Sequence, residues 1–330
     1  MPRDPSVHTI DTGFQRPRFD AAYLIVEQGR GAFVDCGTSH SVPALLAALD
    51  AAGLTPAQVD WLVLTHVHLD HAGGAGALLR RLPQARLYVH PRGAPHMIDP
   101  ERLIAGATAV YGAEEIARSY GRIVPVPAER VVVAEDGGRL SLAGRELLSL
   151  HTPGHARHHL CLWDAHSRSW FSGDTFGLSY RELDSARGAF VIPTSSPVQF
   201  DPEAMIGSIR RLLALEPETM YLTHYGPVDA PLPLGAALVE QIEAMVAIAH
   251  ACDGGADRHR RLVAALTALY LERARAHGCA LDDAAVAAVL AMDIELNAQG
   301  LASWLDHARA ERGRGRERAP KSLRFCPRGL

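Results

Sequence analysis

Lysine is almost missing from this 330-residue chain: of 33 basic residues only Lys321 is a lysine. That imbalance reads as coding bias from a GC-rich genome and carries no chemistry. Cysteine is sparse as well. Cys36, Cys161, Cys252, Cys279 and Cys326 stand far apart without a C-x-x-C pair, which argues against a disulfide framework and for reduced thiols in a cytoplasm. Cys36 alone falls near the candidate site, where it reads as a small buried residue. No run of eighteen uninterrupted apolar residues occurs, so no membrane partner is expected. The opening Met1-Pro2-Arg3-Asp4-Pro5 lacks an apolar h-region, so no secretory leader is expected and the expected location is cytoplasmic. A net charge of −4 gives no general attraction for nucleic acid. The local exception is Arg309 to Arg328, with eight basic residues. Without interleaved aromatics for base stacking, residues 311–330 read as a solvated, weakly ordered tail and not as a nucleic-acid arm.

What is present is a dense polar cluster. With 48% hydrophobic residues, the chain can bury one large domain plus an extension. After an apolar run, Trp61 to Leu64, come Thr65-His66-Val67-His68-Leu69-Asp70-His71, with four metal-binding residue types inside six positions. In extended chain, His66, His68 and Asp70 can project to one side. Asp70 and His71 would sit on the loop or first turn entering a helix over Ala72 to Leu82. So many polar groups bunched together would go unpaired unless they share a purpose. A metal ion is that purpose.

The His66-x-His68-x-Asp70-His71 pattern resembles the signature of the metallo-β-lactamase fold superfamily. The resemblance covers about residues 20 to 230 and supplies the later ligands in order. They are His155 in His151-Thr152-Pro153-Gly154-His155, Asp174 in Ser172-Gly173-Asp174-Thr175, and His224 in Leu222-Thr223-His224-Tyr225-Gly226. Asp35, in Val34-Asp35-Cys36-Gly37, matches the acidic loop beneath the metals. The resemblance implies an α+β fold, the αββα sandwich of that family, and two divalent ions: zinc first, with iron or manganese as alternatives. It implies that His66, His68 and His155 hold one ion and that Asp70, His71 and His224 hold the other. Asp174 would bridge them, and Asp35 would steady a histidine ligand from behind.

Periodicity orders the rest. Ala21 to Glu27 and Ala32 to Val34 read as strands joined by a Gln28-Gly29-Arg30-Gly31 turn. A helix is expected from about Pro43 to Ala52, stopped by Gly53. A helical insertion is expected over about 91–122, where His90 and His96 could line the cleft. Short strands follow at Val131 to Val133, Leu140 to Leu142, Glu146 to Leu150, His159 to Trp163 and Ser169 to Phe171. Residues 175 to 200 mix aromatic and hydroxyl side chains, so Phe176, Tyr180, Thr194 and Ser196, with Tyr225, are candidates for a substrate-pocket wall. Asp201 caps a helix to about Leu215, and Met220 to Leu222 is the strand carrying His224. Residues 1–230 thus form the expected catalytic domain. From Pro231 to about 310, apolar residues recur at helical spacing, as in Leu234, Leu238, Ile242 and Met245, giving an extension of three to five helices. A helical C-terminal part beside the cleft resembles the glyoxalase II-like and alkylquinolone-pathway thioesterase branches. In this extension Asp293 to Asn297 is expected to face the site.

The chemistry these residues permit is hydrolysis of a small ester or thioester by a metal-bridging hydroxide, with Asp174 and Asp70 as catalytic carboxylates. Asp174 stands where secreted zinc β-lactamases usually carry cysteine, which turns the resemblance away from lactam hydrolysis. The alternatives are a mononuclear iron oxygenase resembling persulfide dioxygenases, built on His66, His68, His155 and Asp174, and a phosphodiester hydrolase. The expected partner is a small-molecule substrate, with a homodimer as an allowed assembly.

Overall fold

The structure, a computed structural model, describes residues 4–318. Twelve strands among the described residues form two six-stranded sheets laid face to face. The first contains β1 (Val7–Asp11), β2 (Ala21–Glu27), β3 (Arg30–Val34), β4 (Val59–Val63), β5 (Arg86–Val89) and β6 (Val131–Val133), in that spatial order. The second contains β7 (Arg139–Leu142), β8 (Arg145–His151), β9 (Leu160–Asp164), β10 (Ser169–Gly173), β11 (Thr219–Leu222) and β12 (Gly226–Asp229).

Alternation along β2 explains the layering. Ala21, Tyr23 and Ile25 face the second sheet, where Leu147, Leu162, Phe171 and Tyr221 meet them. Ala22 and Leu24 face outward onto a helix layer built with Leu45, Leu49 and Leu78. Both faces are buried, so β2 is apolar throughout, whereas an edge strand would alternate with polar residues. The outer face of the second sheet, with Trp163, Trp170 and Leu222, is covered by Met205, Ile209, Leu238, Ile242 and Met245. The result is the expected helix–sheet–sheet–helix sandwich.

Helices α1 (Val42–Ala51), α2 (Leu69–Ala72), α3 (Ala75–Leu79), α4 (Ala94–Ile98), α5 (Glu101–Tyr111) and α6 (Ala113–Tyr120) lie along the chain between strands of the first sheet. The single helix expected over Ala72 to Leu82 is two short ones, because the chain bends at Gly73-Gly74, where the Gly74 amide donates to the Gly37 carbonyl (3.0 Å). The β2–β3 turn is tighter than expected: Gln28 and Gly29 alone make it, both at positive φ (45° and 74°), as a two-residue hairpin requires. Two strands carry no clear signal in the sequence. β1 is short with only Ile10 buried, and β12 spans only Gly226-Pro227-Val228-Asp229.

Helix α7 (Pro202–Leu213) is capped by Asp201, whose carboxylate accepts from the Ala204 amide (3.0 Å). Beyond it lie α8 (Pro231–Ala251), α9 (Arg258–His277), α10 (Asp283–Val289) and α11 (Ala291–Arg318). By length and composition α8 could cross a membrane, although it contains no uninterrupted apolar run of that length. Here Leu238, Ile242 and Met245 are buried against the second sheet and its neighbours. The stretch read as a basic tail lies on α11 as far as Arg318 and otherwise outside the described residues.

Leu262, Leu266 and Tyr270 of α9 and Leu301 and Leu305 of α11 join the same core as Trp170. A chain ending at Ala230 would expose that surface, so it is expected to be recovered as aggregate, checked by soluble yield and gel filtration. A soluble, monomeric and cooperatively unfolding 1–230 chain would contradict this.

Candidate metal centre

The candidate ligands stand where the C-terminal ends of strands from both sheets meet. Asp35 follows β3, the His66 to His71 run follows β4, His155 follows β8, Asp174 follows β10 and His224 follows β11. One carboxylate ties these ends together. The Thr65 amide and hydroxyl donate to the two oxygens of Asp35 (2.8 Å each), and the Thr223 hydroxyl donates to Oδ2 (3.1 Å). The same Oδ2 lies 2.9 Å from His71 Nδ1, which leaves Nε2 of that ring facing the cleft. Asp35 is buried and steadies a histidine from behind.

Two groups of donors follow. His66, His68, His155 and Asp174 offer one atom each, all within 4.8 Å of one another, and Asp70, His71 and His224 do the same. His68 Nδ1 lies 2.9 Å from His66 Nε2 and 3.0 Å from His155 Nε2. One proton on His68 cannot satisfy both contacts, and ligands on a tetrahedral zinc stand roughly 3.3 Å apart. Asp174 turns one oxygen to each group. Its Oδ2 is 3.3 Å from His155 Nε2 and 3.9 Å from His66 Nε2. Its Oδ1 is 3.4 Å from His71 Nε2 and 3.7 Å from His224 Nε2. Asp70 Oδ2 completes the second group, 3.6 Å from His224 Nε2 and 3.9 Å from His71 Nε2.

His71 Nε2 and Asp174 Oδ1 are buried and have no hydrogen-bond partner. Buried polar atoms left so are costly, and a divalent ion between them, displacing any proton on the ring, removes the cost. Spacings of 3.4–3.9 Å are long for hydrogen bonds and suit donors arranged around an ion. The donor set therefore fits divalent metal. The rings are also pre-aimed. His155 Nδ1 donates to the Thr194 carbonyl and His224 Nδ1 to the Phe19 carbonyl, both at 3.1 Å, which frees each Nε2 for an ion.

Electrostatics separates the two groups. Burial, reinforced by neighbouring histidines, pushes His66 and His68 well below the ordinary histidine value. His155 is also lowered by burial. Burial pulls the same way on His224, but the Asp174, Asp70 and Asp20 carboxylates outweigh it and raise that ring to about 10. His71 is likewise raised, by Asp174 and Asp70 against burial.

Several nearby residues stand out only in the structure. His159 is buried, and its Nε2 accepts from the Asp174 amide (3.1 Å). His158 is stacked 6.1 Å from the His66 ring. The run His155-x-x-His158-His159 is dense enough in histidine to have flagged both. Asp20 is fully buried beside the second group, with burial lifting its carboxyl to about 8 and Oδ1 without a partner. His90 packs on His151 (4.1 Å between rings), and His96 lies 6.5 Å from His158, so neither belongs to a donor group.

The proposed pocket residues divide. Phe176 is wholly buried in the core against α8, because Gly235 leaves room for its ring, so it is no pocket wall. Ser196 is buried and accepts from the Gln199 amide (3.1 Å). Thr194 contributes its carbonyl to His155. Tyr180 is buried and stacks on Phe19 (5.2 Å, 19°), whose ring edge meets His224 at 5.5 Å. Tyr225 is half-buried against the inter-sheet core. Phe19, from the segment before β2, contacts the His224 ring; Phe14 packs on Phe19 and Tyr120 of α6 on Phe14.

Comparison with known proteins bears on the family and the fold. The profile of the metallo-β-lactamase superfamily matches residues 16–224. A metallo-β-lactamase fold-containing protein from Sulfurisphaera tokodaii is 27% identical over 228 residues, which is 68% of this chain and 79% of that protein. A hydroxyacylglutathione hydrolase from Aeromonas hydrophila is 31% identical over 211 residues, 63% of each chain. The match thus spans under two thirds of that relative. Among solved structures, an archaeal metallo-β-lactamase superfamily protein from Sulfolobus tokodaii superposes with a TM-score of 0.62 at 24% identity, covering 90% of this chain and 98% of the other. A metallo-β-lactamase family protein from Thermus thermophilus gives 0.63 at 22% identity, covering 88% of this chain and 94% of the other. These two likenesses bear on the fold alone.

Two outcomes are expected. Asp35→Ala strips an acceptor from four buried donors, so stability should fall by about 2 kcal/mol or more, with about tenfold or greater loss of metal at the His71 group. Denaturant unfolding and elemental analysis check it; unchanged midpoint and metal content would refute it. For pH, the raised His71 and His224 contribute stability to the metal-free fold that is fully present below about pH 6.5. The His224 part is lost as pH rises through about 10. At pH 7 both rings carry protons that a metal must displace. Metal uptake should therefore release protons, seen as a calorimetric heat that changes with buffer ionisation enthalpy; a buffer-independent heat would refute it.

Proposed function

The chain belongs to the metallo-β-lactamase superfamily, and from that premise we propose that it is a dinuclear metal-dependent hydrolase of a small ester or thioester. The observation that carries the reading is Asp174, with Oδ2 toward His66, His68 and His155 and an unpartnered Oδ1 toward His71 and His224. Five imidazoles with two carboxylates make zinc the first choice, with iron and manganese as alternatives. The relative named hydroxyacylglutathione hydrolase supports an acyl thioester as the substrate class. When bound, divalent ions supply Lewis acidity at the substrate oxygen and a water that ionises near neutral pH.

The chain's own residues supply position and exclude rival chemistry. Asp70 is the more open carboxylate, its side chain 24% exposed against 5% for Asp174. Burial pushes Asp70 up, but His71 and His224 more than reverse that and hold it ionised. Its carboxylate therefore accepts hydrogen bonds from the attacking water and orients it. Asp174 is held ionised likewise by His71, His155 and His224. Cys36 and Cys161 do not serve as nucleophiles: burial raises the Cys36 thiol well above its usual value and lifts Cys161 to about 12, so neither is a thiolate at neutral pH. An oxygenase with one iron at the tripod would leave the His71 group without a role, and the free His71 Nε2 favours the two-ion reading.

Aryl esters and acyl thioesters should be hydrolysed under anaerobic conditions, and a chelator should abolish the activity. Asp174→Ala should lower kcat/KM by more than about 100-fold, beyond what residues outside the ligand set cost. Asp70→Asn should keep the fold and lower kcat. A substrate panel of esters, thioesters, lactones and phosphodiesters is the measurement. Oxygen-dependent persulfide consumption without hydrolysis would overturn the reading, and phosphodiester cleavage alone would overturn the acyl substrate.

A further inference from the structure

Three residues of α11, Asp293, Asn297 and Gly300, follow at intervals of four and three and so share one helix face. That face reaches one donor group through the Pro193–Ser195 segment and the other through Tyr180 and Phe19. Asn297 is fully buried; its Oδ1 accepts from the Ser195 amide (2.7 Å), and its Nδ2 donates to the Pro193 carbonyl (3.0 Å) and the Tyr270 hydroxyl (2.8 Å). These bonds hold the residues on either side of Thr194, whose carbonyl accepts from His155. The helix must come close to do this. A Cβ on Gly300 would lie 2.2 Å from Ser195 Oγ and 2.7 Å from the Ser196 carbonyl.

Four residues earlier, Asp293 Oδ1 accepts from the Tyr180 hydroxyl (3.2 Å). Tyr180 lies flat on Phe19, and the Arg16 guanidinium sits 4.6 Å from the Tyr180 ring and 5.2 Å from the Phe19 ring. The Phe19 carbonyl in turn accepts from His224. Each donor group thus has one histidine whose aim is set by a backbone carbonyl, and the same face of α11 braces the residue behind each, Thr194 through hydrogen bonds to its neighbours and Phe19 through the Tyr180 ring.

Plain packing does not call for these residue types. Leucine at 293 and 297 would bury α11 without desolvating polar groups, yet Asp293 leaves Oδ2 buried and unpartnered. We infer that Asp293 and Asn297 are positioning residues of the metal centre. On this inference the helical extension is part of that centre: Asn297 aims His155 at the first ion and Asp293 aims His224 at the second. The inference rests on the two-ion reading above.

The test is a stepwise cobalt(II) titration of the full-length protein, following the visible absorption of each ion as it binds. Asn297→Ala should weaken the ion of the His66–His68–His155 group by about tenfold or more relative to the other, and Asp293→Ala should do the reverse. Asp293→Asn should restore the second ion, because its amide oxygen still accepts from Tyr180. If an alanine variant does not fold by circular dichroism, Tyr180→Phe and Asn297→Asp replace it. The first removes only the hydroxyl that reaches Asp293; the second keeps the acceptor for Ser195 and drops the two donated bonds. Wild type taking up two ions, with variants that weaken both equally or neither, overturns the inference alone. Wild type taking up a single ion overturns the two-ion reading and the Asp293 role together.

Discussion

Buried polar atoms that the protein's own hydrogen bonds do not satisfy govern this molecule. His71 Nε2 and Asp174 Oδ1 face each other across 3.4 Å with no hydrogen bond. Three further imidazole nitrogens crowd about 3 Å apart with at most one proton to share where they meet. In water such groups would be solvated, so holding them together dry costs free energy. The structure must therefore constrain them, and an ion must be available to relieve them.

The constraint comes from several depths of the fold. Strand ends from both sheets deliver the ligands, so the sandwich core fixes their spacing. Asp35 ties the ends of β3 and β4 and the β11–β12 connection at Thr223 into one hydrogen-bonded knot beneath His71. Carbonyls of Phe19 and Thr194 aim His224 and His155, and α11 holds both carbonyls through side chains more than a hundred residues away in sequence. The helical extension thus shares a core with the second sheet and also controls the aim of ligands it does not contain.

The legible part of this arrangement was local. Four ligand types within six residues after an apolar strand announce a metal site by density alone. His155, Asp174 and His224 are single residues in ordinary surroundings, and only their resemblance to a family pattern picks them out. The apolar run that makes β2 an inner strand was readable; β1 was not, since only Ile10 of it is buried. Phe176 reads as a pocket wall because it stands near Asp174 in sequence, whereas its backbone turns it into the core against α8. Asp20, Asn297 and the Tyr180–Asp293 bond depend on pairings between distant segments, for which spacing along the chain holds no information. Asp293 to Asn297 was expected to face the site, and the polar residues set among apolar neighbours in that stretch were its signal.

Anomalous scattering from crystals of the metal-replete protein, collected on either side of the zinc, iron and manganese edges, tests the central claim most directly. The account predicts two peaks, one among His66, His68 and His155 and the other among Asp70, His71 and His224, with Asp174 between them. A single peak at the three-histidine group, with the second group holding only water at saturating metal, would contradict it.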